Sequence, residues 1–381
     1  MKRIGIVLVV CILLTMLPVP ASAAPEVAGK SALLMDMQTG KVLYEKNAHE
    51  KLAPASVTKV MTMLLIMEAI DSGRIGWSDT VTASETAAAK GGSQIYLEAG
   101  ETMTVTDMVK SIAVSSANDC ACAMAEHISG SEAAFVEKMN ARAGELGMED
   151  TNFVNCTGLD DDDQAGEHLT SAYDIALMSR ELMKNHPQIK RFTTIWMDTV
   201  RNGEFGLSNT NKLVRFYPGA TGLKTGFTSK ARFCLSATAE RDGLGLVAVV
   251  LGAESSQERF DACKQMLDYG FANYALVKPQ LPDSTMVPVT LGVADAVRAV
   301  PGEEAELLID KGQRDQVTTE VVLEEKVNAP VSKGQRLGTM TIKAGEQVLM
   351  QVPMVAQDAV PRLTWWDLFV QILQKLAMAR T

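Results

Sequence analysis

Four stretches of the chain differ in how hydrophobic and polar residues alternate. The first is an apolar run over residues 4–17, which follows two basic residues and precedes a proline break and the small residues 21–24. Such a run is shorter than the roughly 20 residues that a membrane-spanning helix needs, and it has the layout of a secretory signal peptide. We therefore predict export with cleavage after Ala23 or Ala24, and assign residues 1–24 to the signal peptide.

Helical and strand patterns mix in the second stretch, residues 25–278. Strand patterns at 32–35 and 41–44, joined by a Gln-Thr-Gly turn, predict a hairpin. Helical spacing of apolar residues begins directly after Ser56 and predicts a helix that starts there, with apolar positions at Val60, Met61, Leu64, Leu65, Met67 and Ile70. The mixture predicts an α+β domain in which an antiparallel sheet packs with helices.

The third and fourth stretches follow a proline-containing linker at 279–283. Residues 279–361 read as short strands separated by Gly and Pro, which predicts a small all-β domain. Residues 362–381 place apolar side chains at helical spacing, and Thr364 with Asp367 forms a capping-box pattern. We predict an amphipathic helix at this end of the chain.

Two interpretations of the C-terminal helix stay open: packing on its own domain, or anchoring at a membrane surface. Adjacent tryptophans, Trp365 and Trp366, suit the headgroup boundary of a bilayer, and Lys375 and Arg380 suit anionic lipid. We favour an anchor that lies in the interface.

Length and charge narrow the possible functions. A chain of 381 residues predicts about two domains. The formal net charge is −10, and loss of the two basic residues in the signal peptide makes it −12. An acidic chain with 5% aromatic residues and no run of Lys or Arg does not fit a nucleic-acid-binding protein, so we predict no nucleic-acid partner.

Cysteine and histidine spacings argue against a metal site. Five cysteines remain after cleavage, an odd number at spacings that fit neither a disulfide framework nor a zinc site. Cys120 and Cys122 face different directions on a predicted helix, and the four histidines form no ligand pair such as His-x-x-x-His. We take the cysteines as small buried apolar residues and predict neither a metal nor a cofactor. Nothing in the sequence indicates the oligomeric state.

Ser56 and Lys59 are candidates for nucleophile and base. Free backbone N–H groups at a helix start favour negative charge near the serine oxygen. Lys59 follows at i+3 on the same helix face, so its amine reaches the hydroxyl and can act as a base if its pKa is lowered. A helix-capping serine beside an exposed lysine is the alternative, since Ser-x-x-Lys arises about once by chance in a chain of this length.

Two further motifs follow in order. Ser116-Ala117-Asn118 lies between two helical stretches, where Ser and Asn are more often capping residues. Lys224-Thr225-Gly226 opens a predicted strand that pairs with 233–238, which in turn precedes a strand at 246–251. A substrate backbone could pair along the first of these strands, and its glycine would permit close approach.

Together the three motifs are specific, because each occurs once and their order is that of penicillin-binding proteins and class A β-lactamases, which carry Asp where this chain has Ala117. Over nearly its full length the chain resembles the low-molecular-mass penicillin-binding proteins that are serine D-alanyl-D-alanine carboxypeptidases, peptidase family S11. The resemblance includes Pro54-Ala55-Ser56-Val57-Thr58-Lys59 and the segment from Gly92 to Glu101. It implies a transpeptidase/β-lactamase-like first domain.

The resemblance also implies a role for each motif residue. Ser56 would attack the terminal D-Ala-D-Ala bond of a peptidoglycan stem peptide, Lys59 would take its proton, and Ser116 would relay a proton to the leaving amine. β-Lactams would acylate Ser56 as covalent inhibitors. The oxyanion hole would be made by the backbone N–H groups of Ser56 and Phe227. The implied substrate-binding residues are Asn118, Lys224, Thr225, Gly226, Phe227 and Arg259.

Three positions depart from the family or match it loosely. Arg259 matches an arginine that meets the substrate carboxylate, although it could instead cap or pair on a helix surface. Phe227 stands where some members carry histidine. Asp160 to Asp163 form an acidic run that we take as a solvated loop rather than a calcium site.

Two alternatives to a carboxypeptidase stay open. A class A β-lactamase shares the three motifs, but the Glu-x-x-Leu-Asn segment of that family is missing between Asn118 and Lys224. A non-catalytic wall-binding or penicillin-sensing protein is the other, and the intact motifs count against it. We expect a peripheral enzyme at the outer face of the cytoplasmic membrane, facing the cell wall.

Overall fold

A computed structural model describes residues 24–160, 166–367 and 369. These residues belong to two compact units, one ending at Asn273 and the other beginning at Tyr274. The predicted linker, 279–283, lies outside every helix and strand, within the second unit. The signal peptide up to residue 23, most of the acidic run and most of the C-terminal helix are outside the described residues.

The first unit mixes helices and strands, as the sequence predicts. Its strands are β1 Ser31–Asp36, β2 Val42–Lys46, β3 Thr80–Thr82, β4 Thr102–Thr104, β5 Met197–Val200, β6 Phe205–Ser208, β7 Ala220–Thr228, β8 Arg232–Arg241 and β9 Leu244–Ala253. Its α-helices are α1 Lys59–Asp71, α2 Glu85–Ala88, α3 Val105–Ser115, α4 Asn118–Ser129, α5 Glu132–Glu145, α6 Ala172–Asn185, α7 Lys190–Thr193, α8 Leu213–Phe216 and α9 Ser256–Asn273.

Five antiparallel strands form the main sheet in the order β2-β1-β9-β8-β7. The predicted hairpin of 32–35 and 41–44 corresponds to β1 and β2. Lys224-Thr225-Gly226 lies in the middle of β7, whereas the sequence placed it at a strand start. The strand extends back to Ala220 because its register with β8 continues as far as Ala239.

Helices cover both faces of this sheet because successive side chains of its central strands point to opposite sides. Leu33 and Val249 join one core with the apolar residues of α1 and α6. On the opposite face Leu246 meets α9, where a Cβ on Gly270 would lie 2.5 Å from Leu246 Cδ1. The mixed α and antiparallel β fold of the first unit confirms the predicted class.

The second unit is built from short strands around a core of its own. A six-stranded sheet has the order β14-β16-β17-β12-β11-β15, and β10 pairs with β13. The strands are β10 Tyr274–Val277, β11 Met286–Thr290, β12 Ala296–Pro301, β13 Leu307–Asp310, β14 Val317–Leu323, β15 Val327–Asn328, β16 Arg336–Ala344 and β17 Gln347–Ala356. The predicted all-β domain is confirmed.

A capping box starts the helical residues at the C-terminal end. Asp367 N donates to Thr364 Oγ1 (3.3 Å) and Thr364 N donates to Asp367 Oδ2 (2.8 Å), as the sequence predicts. Among the described residues, no helix has the length and apolar content needed to cross a bilayer.

Candidate active site

Ser56 lies in a single 3-10 turn, Ala55–Thr58, that leads directly into α1. Lys59 is the first residue of α1, and its Nζ lies 2.9 Å from Ser56 Oγ. The i+3 spacing therefore produces the contact that the sequence predicts. The serine is half-buried, whereas the lysine is fully buried, so the alternative of an exposed lysine is wrong.

The environment of Lys59 suits a base. Its Nζ also donates to Thr157 O at 2.7 Å. Burial lowers the pKa of Lys59 to about 7, against smaller opposing effects of Cys156 and Asp119. A neutral amine that gives one N–H to a carbonyl keeps its lone pair for another partner. Thr157 O therefore orients the amine so that its lone pair can accept the proton of the Ser56 hydroxyl.

Ser116 and Asn118 lie where α3 meets α4. Ser116 ends α3 in the left-handed conformation (φ 64°, ψ 28°), and Asn118 is the first residue of α4 rather than part of a loop. Ser116 is the C-cap residue of α3 through its backbone N–H, which donates to Ser111 O, but neither side chain forms a capping hydrogen bond. Instead Asn118 Nδ2 donates to Gly91 O (2.8 Å), and its backbone N–H donates to Ser93 O (2.7 Å).

Two buried side-chain oxygens lie at this junction. Within the described part of the chain, Ser116 Oγ and Asn118 Oδ1 have no hydrogen-bond partner. Buried polar atoms are rarely left unpaired without a functional reason. The two atoms suit a proton relay and acceptance of a substrate N–H group.

Strand β7 runs against the Ser56 turn. A Cβ on Gly226 would lie 2.7 Å from Pro54 O and 3.1 Å from Ser56 N, so only glycine allows this approach. Thr225 Oγ1 donates to Thr210 Oγ1 at 2.7 Å, and Lys224 Nζ donates to Thr225 O at 2.9 Å. The structure thus brings the third motif to the first.

Lys224 adds a second buried amine. Burial lowers its pKa well below the ordinary value, and positive charge on Lys59 and Arg259 lowers it further. Arg259 is itself buried, and its Nη1 donates to Gly226 O (2.9 Å) and Cys234 O (3.2 Å). The charges of Lys59 and Arg259 are therefore close enough to affect Lys224, an arrangement that an anionic ligand would stabilise.

The contacts of Arg259 exclude one of its two interpretations. It does not cap or pair on a helix surface, because it is 8% exposed and packed on β7 and β8. Its contact with a substrate carboxylate stays a prediction. Phe227, on the same strand, is 54% exposed and its ring lies 4.4 Å from that of Phe233.

Sequence reasoning missed the loop that follows α5. Asn155 Oδ1 accepts hydrogen bonds from Thr157 N (3.1 Å) and Gly158 N (2.7 Å), which shapes the turn carrying Thr157 O. Gly158 has φ +80°, and a Cβ there would lie 1.9 Å from Ala55 O. The Asn-x-x-Gly spacing was the available signal, since both residues favour tight turns.

His168 is a second missed residue. Val154 N–H donates to His168 Nδ1 at 3.1 Å, so the proton lies on Nε2, which donates to Thr58 Oγ1 at 2.8 Å. Burial lowers the pKa of His168 to about 4, so the ring is neutral at neutral pH. A neutral histidine thus holds Thr58, one of the two residues between the motif's serine and lysine.

One acidic cluster has ligand geometry away from the motifs. Ligand atoms of Glu68, Glu181 and His186 lie within 4.8 Å of one another. Arg142 donates to both carboxylates at 2.7 Å, so a guanidinium already balances their charge. The cysteines described in the structure are free and buried, at positions 120, 122, 156, 234 and 263.

The fold and site define a class: a serine acyl-transfer enzyme with a lysine base on a helix that packs against an antiparallel sheet. The sequence model of the D-alanyl-D-alanine carboxypeptidase family, peptidase family S11, matches residues 19–255. That of the penicillin-binding protein 5 C-terminal domain matches residues 276–362. The chain belongs to the D-alanyl-D-alanine carboxypeptidase family, which confirms the predicted enzyme class.

Individual relatives agree along most of the chain. D-alanyl-D-alanine carboxypeptidase DacF of Bacillus subtilis is 45% identical over 335 residues, which are 86% of this chain and 85% of the relative. DacA of Escherichia coli is 31% identical over 362 residues, 91% and 86% of the two chains. Penicillin-binding protein 5 of Haemophilus influenzae superimposes with a TM-score of 0.73 at 27% identity, covering 90% of this chain and 100% of that one.

Proposed function

We propose that this enzyme removes the terminal D-alanine from peptidoglycan stem peptides through an acyl-enzyme on Ser56. The observation that carries the proposal is the 2.9 Å contact between Ser56 Oγ and Lys59 Nζ, with the pKa of the buried lysine lowered to about 7. A serine beside a lysine that is partly neutral near pH 7 is an activated nucleophile.

The reaction follows from the positions of the side chains. Lys59 takes the Ser56 proton while Ser56 Oγ bonds to the carbonyl carbon of the scissile amide. The N–H groups of Ser56 and Phe227 hold the oxyanion. The C–N bond breaks as Ser116 relays a proton to the departing amine, and D-alanine leaves. Water then hydrolyses the ester and restores Ser56.

Substrate specificity rests on charge and on the edge of β7. The terminal D-alanine carries a carboxylate, and Lys224 and Arg259 supply positive charge next to Thr225 and Gly226 on β7. Asn118 Oδ1 is buried and accepts no hydrogen bond within the described residues, so it can accept a peptide N–H. A substrate with a free carboxylate is therefore preferred.

β-Lactams enter by the same chemistry. Their strained amide presents a carbonyl to Ser56, and the amine stays tethered after the ring opens. A solved structure of penicillin-binding protein D2 from Listeria monocytogenes contains bound ampicillin, and it is 30% identical to this chain with a TM-score of 0.57. We propose that penicillins and cephalosporins acylate Ser56 as covalent inhibitors.

Release of D-alanine from a synthetic stem pentapeptide tests the function. We expect the purified protein to release one equivalent of D-alanine, measured by a coupled D-amino-acid oxidase assay, and to be blocked by benzylpenicillin. The same peptide with a C-terminal amide is the matched control and is expected to react more slowly, because its carboxylate charge is missing. Acylation by penicillin without D-alanine release would favour the non-catalytic sensor instead.

We also propose that the enzyme is exported and held at the outer face of the cytoplasmic membrane by its C-terminal helix. Exposed aromatic residues at the start of that helix support this: Trp365 is 74% and Trp366 62% exposed. Such large exposed apolar side chains suit a lipid interface.

Vesicle flotation tests the anchor. The mature chain is expected to float with vesicles that contain anionic phospholipid and to be partly released by high salt, because basic residues contribute to binding. The double variant Trp365→Ser, Trp366→Ser is expected to stay with the soluble fraction while its D-alanine release is unchanged. Equal flotation of both proteins would contradict the proposal.

A further inference from the structure

A largely buried ion pair connects two loops beside the active site. Lys90 Nζ lies 2.6 Å from Glu132 Oε2, with side chains only 21% and 17% exposed. Glu132 is the first residue of α5, directly after its N-cap Ser131. A carboxylate is favoured there by the free N–H groups of the helix start. None of the three motifs contains either residue.

The first loop holds Asn118. It begins at Lys90 and continues through Gly91 and Ser93, whose carbonyls accept the side-chain and backbone N–H groups of Asn118 (2.8 and 2.7 Å). A Cβ on Gly92 would lie 2.8 Å from Asn118 Nδ2, so the loop is in close contact with the amide. The ion pair therefore fixes the end of the segment that orients Asn118.

The second loop holds Lys59. Glu132 Oε1 accepts hydrogen bonds from Cys156 N (3.2 Å) and Cys156 Sγ (3.1 Å). The carbonyl oxygen of Cys156 accepts a hydrogen bond from Thr62 Oγ1 at 2.6 Å. The next carbonyl is Thr157 O, which accepts the N–H of Lys59. Glu132 thus fixes the Cys156 peptide. The next carbonyl along the chain, Thr157 O, orients the amine of Lys59.

Both oxygens of Glu132 are used, which explains why a carboxylate is needed. Burial alone would raise the pKa of this carboxyl group, but hydrogen bonds from Lys90 and Cys156 and the charge of Lys90 hold it below the usual value. The pKa of Lys90 is correspondingly raised, despite the opposing effect of burial. An amide at this position would offer one acceptor oxygen and no charge for Lys90.

We propose that Glu132 is a positioning residue for acylation, which holds Lys59 through the 155–158 loop and Asn118 through the 90–93 loop. The proposal rests on the proposed function, because it assumes that Ser56 is acylated with Lys59 as base. Glu132 touches neither residue and acts through the two loops. Displacement of a reacting group by about 1 Å can lower a rate by roughly 100-fold.

The test is the rate and stoichiometry of acylation by a fluorescent penicillin, measured on the full mature chain. Glu132→Gln keeps the shape of the side chain, and we expect the second-order rate constant to fall by about 10- to 100-fold. The final label is expected to stay near one per chain. A merely structural role would instead lower the labelled fraction and leave the rate constant of the folded protein unchanged.

Glu126→Gln is the matched control. Among the described residues, the Glu126 carboxylate accepts a single long contact, from Cys122 Sγ (3.8 Å), and the same sulfur also contacts Glu132 (3.8 Å). We expect this variant to label at the wild-type rate.

Lys90→Met removes the same ion pair and replaces Glu132→Gln as the test variant if Glu132→Gln does not fold. It is expected to slow labelling, and the double variant should be no slower than the slower single variant, because the pair acts as a unit.

An unchanged rate constant in both Glu132→Gln and Lys90→Met would overturn the positioning role. So would equal slowing by Glu126→Gln, which would indicate a general effect of lost negative charge. Failure of the proposed function looks different: the wild-type chain itself would remain unlabelled, or its label would map away from Ser56.

Discussion

Replacement of Ser56 by alanine is expected to remove all covalent labelling by benzylpenicillin and to lower D-alanine release by about a millionfold, as loss of the nucleophile does in serine hydrolases. Among the described residues the Ser56 hydroxyl oxygen has one hydrogen-bond partner, Lys59 Nζ, which donates to it. Its removal therefore leaves the surrounding packing in place. Circular dichroism and the melting temperature should stay close to those of the wild type.

Intact-mass spectrometry followed by peptide mapping checks this prediction. The penicilloyl mass is expected on the peptide that contains Ser56 and nowhere else. Ser171→Ala is a matched control, because Ser171 caps α6 by accepting from Asp174 N. We expect that variant to lose about 1 kcal/mol of stability but to label fully. A label that persists in Ser56→Ala would show that the nucleophile was assigned to the wrong residue.

Replacement of Lys59 by methionine is expected to slow acylation by about 10²- to 10⁴-fold, the usual contribution of a general base. Methionine is unbranched and of similar length, so it can fill the same space. Because Lys59 is fully buried, methionine also avoids the cost of keeping an amine away from water. We expect the melting temperature to be equal to that of the wild type or higher, an outcome typical of residues retained for activity.

The pH dependence of the acylation rate distinguishes a lysine that acts as a base from one that only fills space. Below its pKa of about 7, Lys59 is protonated and cannot accept the Ser56 proton. The wild-type acylation rate should therefore fall as pH drops below about 7, whereas the slow residual rate of Lys59→Met should lack this limb. The free energy of unfolding depends on pH in the same direction. The folded pKa lies below the ordinary 10.5, so the unfolded chain binds more protons between these values and the wild type loses stability as pH falls through that range.

Much of the fold and of the motif geometry could be predicted from local pattern. Short apolar, strand-like segments bounded by turns indicated the strands β1, β2, β8 and β9. Helical spacing indicated α1, and the i+3 spacing of Ser56 and Lys59 predicted a contact that is 2.9 Å long. Such features depend on a few neighbouring residues and on backbone geometry, so the sequence carries them directly.

Contacts between distant segments decided points that local pattern left open or suggested wrongly. Arg259 left two interpretations open, and its burial against Gly226 and Cys234 excluded the surface pair. Asn118 suggested a capping residue, yet its side chain bonds to Gly91, 27 positions away in sequence. No local pattern reports such pairs, because they form only when loops and strands pack together.

Ser56 and Lys59 show which properties the sequence determines and which depend on the tertiary structure. The sequence by itself determined that serine and lysine share one helix face, that their motifs occur in a set of three, and that an all-β domain follows. The tertiary structure alone decided that Lys59 is fully buried, that Thr157 O orients its amine, and that Glu132 holds the loop on which Thr157 lies. The reason is physical: spacing sets which side chains are neighbours on a helix, whereas desolvation depends on everything that packs around them.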